Sequence, residues 1–170
     1  MYTRNLLWLV SLVSAAPLYA ADVPANTPLA PQQVFRYNNH SDPGTLDPQK
    51  VEENTAAQIV LDLFEGLVWM DGEGQVQPAQ AERWEILDGG KRYIFHLRSG
   101  LQWSDGQPLT AEDFVLGWQR AVDPKTASPF AGYLAQAHIN NAAAIVAGKA
   151  DVTSLGVKAM DDRTLEVTLE

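Results

Sequence analysis

The chain has 170 residues, of which 46% are hydrophobic and 19% are charged, and its formal net charge is -9. This length and apolar content suit a folded chain with a core and argue against intrinsic disorder. The acidic balance argues against nucleic acid as a partner, because phosphate contacts dominate nucleic-acid binding. The sequence contains no cysteine, which excludes disulfides, thiolate nucleophiles and cysteine-based metal sites.

Residues 1–20 predict a secretory signal peptide. Arg4 is their only charged residue, residues 6–13 are apolar apart from Ser11, and Pro17 precedes small residues at a cleavage site after Ala20 or one residue later. This pattern is typical of an exported protein. The apolar run is too short to span a bilayer, so we expect no membrane insertion once the signal is cleaved. The alternative interpretation is a buried core helix.

The next elements in chain order are a strand and a helix. Residues 34–38 combine apolar, aromatic and polar side chains in alternation and predict the first strand. Asn54 or Thr55 is a candidate N-cap for a helix over residues 56–64. Four apolar side chains give that helix one apolar side: Ile59, Val60, Leu63 and Phe64.

Two hairpins are predicted after this helix. Residues 67–70 begin the first hairpin, which turns at Asp71-Gly-Glu-Gly74. In the second, residues 84–87 and 92–97 flank the turn sequence Asp88-Gly-Gly-Lys91. Glycine and aspartate tolerate the positive φ that such turns need. The strict alternation of residues 92–97 indicates a half-buried strand.

The strongest helix signal begins at Thr110. Thr110 is a suitable N-cap, and Asp113 can return a hydrogen bond to it while favouring the positive end of the helix dipole. The helix is expected to end at Asp123, because Pro124 disfavours helical geometry in the residue before it. Later elements are two short helices and a strand, over residues 130–134, 142–147 and 164–169.

No pattern in the sequence predicts a catalytic, metal or cofactor site. The three histidines are far apart, and none has a second metal ligand three or four residues further on. Asp71-Gly-Glu-Gly74 lacks the spaced oxygen ligands of a calcium loop, and the serines lack a nucleophile elbow. Three tryptophans are expected to fill the core rather than a stacking site: Trp84, Trp103 and Trp118.

Specific motifs carry more information than the secondary-structure pattern. The central ones are Phe95-x-Leu97-Arg98, Trp103-Ser-Asp-Gly106 and Thr110-Ala-Glu-Asp-Phe-Val115. Flanking segments add Leu46-Asp-Pro48, Leu63-Phe-Glu-Gly-Leu67, Trp118-Gln-Arg120 and Thr126-Ala-Ser-Pro-Phe130. With these segments in this order, the sequence resembles the periplasmic oligopeptide-binding proteins of ABC importers, which are family 5 extracellular solute-binding proteins.

The resemblance implies a mixed α/β fold of the type II periplasmic-binding-protein class, which has two lobes. Members of this family are much longer, so we expect the chain to be an N-terminal fragment. Residues 21–65 would begin lobe one, and residues 66–170 would form most of the small extra domain of peptide receptors. The rest of lobe one and all of lobe two would be missing.

The resemblance also implies which residues contact a ligand. In this family an extended peptide lies between the lobes and pairs its backbone with short protein strands. Carried over by position, Glu52, Glu53 and Asn54 form one pairing strand, and Phe130 is an aromatic residue that flanks the ligand. Glu53 and Asn54 replace a glycine and a valine of the oligopeptide pattern, and Phe130 lacks a tyrosine hydroxyl. The alternative is that residues 52–54 only lead into the helix.

The implied function is non-enzymatic capture of oligopeptides and their delivery to the membrane permease of an ABC importer. We expect a periplasmic monomer with no cofactor, and with no cysteine for a lipid anchor. Two alternatives stay open. One is a relative of the same fold that binds murein peptide, dipeptide, nickel or heme. The other is a secreted hydrolase domain, which would consume peptides instead of binding them.

Overall fold

A computed structural model of the chain describes residues 27–28, 31–32 and 34–170. The predicted signal peptide lies outside these residues. Backbone contacts divide the chain into two compact units, Met1–Asn38 and Asn39–Glu170. The predicted boundary between residues 65 and 66 falls inside the second unit and stays a prediction.

The strand predicted over residues 34–38 is wrong. These residues have no regular secondary structure, and Phe35 is 88% exposed. Its ring stacks on Tyr37 with the centroids 6.0 Å apart. Alternation alone does not make a strand, because a strand needs a partner for its backbone groups. No strand among the described residues pairs with this segment.

The second unit holds a helix, a small hairpin, and a four-stranded sheet with three further helices. The helices are α1 (Asn54–Leu63), α2 (Ala111–Val122), α3 (Ala131–Gln136) and α4 (Ala142–Val146). The strands are β1 (Val68–Met70), β2 (Val76–Pro78), β3 (Ala81–Leu87), β4 (Arg92–Leu97), β5 (Val157–Asp161) and β6 (Thr164–Thr168). We call residues 39–65 the α1 segment and residues 66–170 the sheet body.

Helix α1 begins two residues earlier than predicted, and its predicted cap is wrong. The N-cap is Glu53, whose side chain makes no capping hydrogen bond. Its carboxylate instead accepts a hydrogen bond from the backbone N–H of Gly44 at 3.1 Å. Asn54 and Thr55 lie inside the first turn, because the chain is already helical there. A tertiary contact has therefore replaced the local cap that the sequence favoured.

Both predicted hairpins are confirmed. Strands β1 and β2 pair around the Asp71 turn, where the Asp71 carboxylate accepts hydrogen bonds from the N–H groups of Glu73 and Gln75. Strands β3 and β4 pair antiparallel across the turn over residues 88–91. The sheet order is β3-β4-β6-β5, and all neighbours are antiparallel. Strand β5 was not predicted, whereas β6 was.

Helix α2 follows the sequence prediction closely. The Asp113 carboxylate accepts hydrogen bonds from Thr110 N at 2.7 Å and Thr110 Oγ1 at 3.0 Å. The last helical residue is Val122, immediately before Asp123 and Pro124. The two predicted short helices are also confirmed as α3 and α4. A shared core joins these helices to the sheet, and its largest fully buried side chains are Leu97, Val122, Ile145 and Leu165.

The expectation for the tryptophans is only partly correct. Trp118 packs against the core, and Trp84 is half-buried on β3. Trp103 is 41% exposed and was wrongly assigned to the core. It begins a tight polar turn in which its own N–H donates to the carbonyl of Gln107. The turn holds the indole at the surface of the sheet body.

Among the described residues, no helix combines the length and the apolar character that crossing a membrane requires.

Candidate functional site

Residues 51–53 lead into helix α1, which begins at Asn54. Glu52, Glu53 and Asn54 are exposed, whereas Val51 is buried. Glu53 has φ -89° and ψ 144°, which is extended backbone. The side chain of Val51 thus fixes one end of this short segment, and the first turn of α1 fixes the other. The intervening backbone lies at the surface.

In the described part of the chain, most backbone groups of Glu52 and Glu53 have no hydrogen-bond partner. Within the part of the chain that the structure describes, no hydrogen bond is made by the N–H or the C=O of Glu52. The N–H of Glu53 likewise has no partner there, while its C=O accepts from Ala57 N at 2.9 Å. Exposed backbone groups in extended geometry can pair with an added strand. Asn54 is already helical and contributes less to such pairing.

The side chain of Glu53 is used inside the protein. Its Oε1 lies 3.1 Å from Gly44 N and closes the loop that leads into α1. A β-carbon added at Gly44 would lie 2.4 Å from this oxygen, so only glycine fits opposite the carboxylate without displacing it. Ligand contact by Glu53 stays a prediction, and this geometry favours contact through its backbone.

An ion pair attaches the loop that leads into α1, residues 44–53, to helix α2. Arg120 donates to both carboxylate oxygens of Asp47, at 2.8 and 2.6 Å, and to Gln49 Oε1 at 2.7 Å. Gln49 Nε2 donates to the carbonyl of Gly117 at 2.5 Å. The hydrogen bonds from Arg120 are the main cause that lowers the pKa of Asp47 from 3.8 to about 2. Asp47 is therefore ionised throughout the physiological pH range.

Sequence reasoning missed this cluster. Leu46-Asp-Pro48 and Trp118-Gln-Arg120 were both recognised as motifs, but nothing in the sequence links them. The two paired residues, Asp47 and Arg120, are 73 positions apart. Only an observed covariation of the two positions, or a structure, would have identified their contact.

Phe130 lies at the start of helix α3 and is half-buried. Its N–H donates to Ser128 Oγ at 3.2 Å. Its ring stacks on Tyr133, with centroids 5.9 Å apart and planes inclined by 24°. Tyr133 is 64% exposed, so the pair presents an aromatic surface to solvent. Sequence reasoning named Phe130 and missed its partner.

A separate cavity of about 500 Å³ contains none of the predicted ligand residues. Its walls are mainly apolar and include Leu63, Phe64, Trp103, Leu109 and Phe114. Gln80 also lines the cavity, and its Oε1 is buried without a hydrogen-bond partner in the described structure. This oxygen has almost no accessible surface, so it is not open to the cavity. The cavity suits an apolar body.

The titratable side chains elsewhere form structural pairs. His96 Nε2 lies 2.8 Å from Glu85 Oε1 on the neighbouring strand, and this hydrogen bond is the first cause that lowers the pKa of Glu85. Arg83 adds a second hydrogen bond to the same carboxylate at 3.2 Å. Among the residues searched, which are the described ones, no group of three or more His, Asp or Glu side chains could hold a metal ion.

Comparison with known families gives a match over residues 75–170 to the middle region of the bacterial extracellular solute-binding proteins, family 5. The chain is 99% identical to a probable deoxycholate-binding periplasmic protein of Escherichia coli strain K12, over the whole chain and 32% of that protein. It is 51% identical to the periplasmic oligopeptide-binding protein OppA of Salmonella typhimurium strain LT2, over 95% of the chain and 30% of OppA. The chain thus spans about a third of these relatives.

Solved structures show the same relationship. The substrate-binding domain of an oligopeptide ABC transporter from Bacillus anthracis matches with a TM-score of 0.78 and 44% identity, over 84% of this chain and 27% of that one. Haemophilus influenzae OppA in complex with the peptide RPPGFSPFR matches with a TM-score of 0.73 and 45% identity, over 78% and 26%. The unliganded open form of the murein tripeptide-binding protein MppA also gives 0.73, at 47% identity over 75% and 25%.

Proposed function

Because this chain belongs to the family 5 bacterial extracellular solute-binding proteins, we propose that it is part of the substrate-binding component of an ABC importer. This component captures a solute outside the cytoplasm and delivers it to a membrane permease, without an enzymatic step. Relatives that carry the same sequence pattern are named periplasmic binding proteins. We infer the same compartment here, reached by cleavage of the signal peptide after Ala20, and a monomer as the working form.

The domain arrangement belongs to the same proposal. Residues 21–65 begin the first lobe, and residues 66–170 form most of the small extra domain. The shared core supports this boundary, since its buried residues all lie at Leu67 or later. The lobe residues that would complete the cleft correspond to the part of the relatives that this chain does not cover.

Peptide is the ligand class that the geometry supports best. The observation that carries this proposal is the exposed approach to α1, where Glu53 is extended and three backbone groups have no partner among the described residues: both groups of Glu52 and the N–H of Glu53. Such a segment pairs with any extended peptide, because every peptide offers the same main-chain donors and acceptors. Phe130 and Tyr133 add an aromatic surface against which a side chain of the peptide can pack.

A bile acid is the second candidate ligand. The E. coli relative that shares 99% identity is named as a probable deoxycholate-binding protein. The cavity beside Trp103 and Phe114 offers apolar walls for a steroid body. The departures from the oligopeptide pattern at Glu53, Asn54 and Phe130 also support a ligand other than an ordinary oligopeptide.

Calorimetry on the full-length E. coli relative separates these candidates. Tri- to pentapeptides and monomeric deoxycholate are titrated separately, and the recovered peptides are analysed for cleavage. Saturable binding of either ligand without turnover supports a binding protein. Consumption of peptide overturns the binding function in favour of a hydrolase, and binding of neither ligand class removes both candidates.

Two substitutions then locate the ligand. Phe130→Ala is expected to weaken peptide binding about tenfold, since aromatic contacts of this kind contribute on the order of 1 kcal/mol or more. Trp103→Ala is the matched control, because Trp103 lines the cavity and is not among the predicted peptide contacts. If deoxycholate binds in the cavity, Trp103→Ala is the variant that weakens its binding, and Phe130→Ala is the control. Unchanged affinity for the bound ligand in Phe130→Ala removes Phe130 from the site.

A further inference from the structure

We propose that Asp47, Gln49 and Arg120 form a positioning clamp that holds residues 51–53 in place relative to helix α2. The ligand-binding role of this clamp rests on the proposed function, which assigns contacts to Glu52 and Glu53. Its mechanical role depends only on the geometry of the chain. The three residues join the loop before residues 51–53 to helix α2 and do not contact the ligand, so they are positioning residues.

The geometry of Arg120 restricts the loop in more than one direction. Its planar guanidinium binds the Asp47 carboxylate through two nitrogens, and one of these nitrogens also donates to Gln49 Oε1. A bidentate contact of this type sets orientation as well as distance. Both polar atoms of the Gln49 amide contact α2: Oε1 accepts from Arg120, and Nε2 donates to the carbonyl of Gly117. The loop is thus held at two successive turns of α2.

The clamp is the polar attachment of this loop to the sheet body. In the described part of the chain, the hydrogen bonds that join residues 44–53 to the sheet body all end on Gly117 or Arg120. The other hydrogen bonds of the loop stay within the α1 segment, including Glu53 with Gly44 and Gln49 N with Asp47 Oδ1. The polar contacts of the loop with the sheet body therefore all go to α2.

This position matters for binding because pairing needs an ordered partner. Fixing the backbone of a residue costs conformational entropy. A segment that is ordered before the ligand arrives avoids that cost at the moment of binding. Phe130, the other predicted part of the ligand surface, follows α2 along the chain and immediately precedes α3.

Nuclear magnetic resonance relaxation on this chain tests the mechanical role without any ligand. In Arg120→Leu, the backbone order parameters of Glu52 and Glu53 are expected to fall from about 0.85 to below about 0.6. Arg120→Lys should restore part of the order, since an ammonium keeps one charge but cannot bridge Asp47 and Gln49 as a fork. Gln49→Leu provides an independent variant if Arg120→Leu does not fold.

Arg83→Leu is the matched control for this experiment. Arg83 is also a partly exposed arginine with a carboxylate partner, but it lies on β3 and contacts Glu85. It should leave the order parameters of Glu52 and Glu53 unchanged. The clamp is overturned if Arg120→Leu and Gln49→Leu fold and keep these residues as ordered as the unsubstituted chain does, or if Arg83→Leu disorders them equally.

Ligand affinity tests the second half of the inference. In the full-length E. coli relative, Arg120→Leu should weaken binding of a pentapeptide about tenfold or more, with an unchanged melting temperature. An unchanged affinity in a variant whose segment is disordered overturns the link between the clamp and binding. If the unsubstituted protein binds no pentapeptide, the peptide function fails, and the order parameters still decide the mechanical role by themselves.

Discussion

In the sheet body, side chains from β4, β5, β6, α2 and α4 are buried together in one core. In the α1 segment, where all of residues 39–65 are described, only Val51 and Ala56 are buried. Several large apolar side chains of α1 and its C-terminal end are exposed instead, among them Leu61 at 72% and Leu63 at 61%. The first region is held by a shared apolar core, whereas the second has two buried side chains and a small number of polar contacts with α2 and with Arg98.

This difference predicts that substitutions in the sheet body mainly change stability, whereas substitutions in the α1 segment mainly change how a ligand is positioned. Removing a core side chain from the sheet body lowers the free energy of unfolding of the whole unit. Removing a polar contact of the α1 segment changes where Glu52 and Glu53 lie and has a small effect on stability. A surface ion pair contributes about 0–1 kcal/mol, whereas a buried leucine contributes several times more.

The largest expected effect is that of Leu165→Ala in the middle of β6. Leu165 is fully buried opposite Phe95, so the truncation leaves a cavity at the centre of the sheet. We expect the free energy of unfolding to fall by about 2–5 kcal/mol, measured by urea denaturation. Leu61→Ala removes the same atoms from a side chain that is 72% exposed, and should cost about 0.5 kcal/mol or less. Equal losses would contradict the contrast between the two regions.

A smaller loss of unfolding free energy is expected from Gly156→Ala, because the sheet body has no room for a methyl group at this position. A β-carbon there would lie 2.6 Å from the Thr168 carbonyl oxygen and 2.7 Å from Asn140 Cβ. Overpacking of this kind costs about 1–3 kcal/mol. The matched control is Gly72→Ala, which places its methyl group within 4 Å of nothing. Thermal denaturation that ranks Gly72→Ala as the more damaging change would show that the packing around Gly156 relaxes.

Removing the cap at the start of α2 should lower the free energy of unfolding by about 1 kcal/mol. Asp113→Ala removes the carboxylate that accepts from both N–H and Oγ of Thr110, which caps the first turn. Glu112→Ala removes a carboxylate from the same first turn without removing these two hydrogen bonds. Chemical denaturation should therefore separate the two variants. Equal effects would assign the whole contribution to charge at the helix terminus and none to the hydrogen bonds.

The success of the sequence analysis also differs between the two regions. In the sheet body, turn chemistry at residues 71–74 and 88–91 and the cap at Thr110 are local signals, and the predicted hairpins and helix α2 are confirmed. Strand β5 was missed because residues 157–161 lack the strict alternation of β4. Its place in the sheet depends on pairing with β6.

In the α1 segment the local signals were misleading. Asn54 and Thr55 are good capping residues, yet Glu53 takes the N-cap position because its side chain is held by Gly44. The four carried-over ligand residues were chosen from family position, and their roles stay predictions. The contact between Asp47 and Arg120 was beyond sequence reasoning, because it joins two distant parts of the chain. Local sequence patterns predict turns and caps, whereas contacts between residues far apart in the sequence become visible only in the folded structure.

The smallest expected effect is a pH dependence that comes from the α1 segment alone. Hydrogen bonds from Arg120 hold the pKa of Asp47 at about 2, below its ordinary value of 3.8, and Lys50 adds a smaller favourable charge. A carboxyl group with a lowered pKa in the folded state stabilises that state above its unfolded pKa. This contribution is lost as the pH falls from about 4 through about 2.

The difference in unfolding free energy between the unsubstituted chain and Asp47→Asn isolates this contribution from other carboxylates with lowered pKa, such as Asp151 and Asp161. The pair is accessible to solvent, so screening limits the difference to about 1 kcal/mol or less near neutral pH. Urea denaturation should show it shrinking between about pH 4 and about pH 2, and also with added salt. A difference that stays constant over this pH range would mean that the ion pair does not hold the α1 segment on α2 in solution.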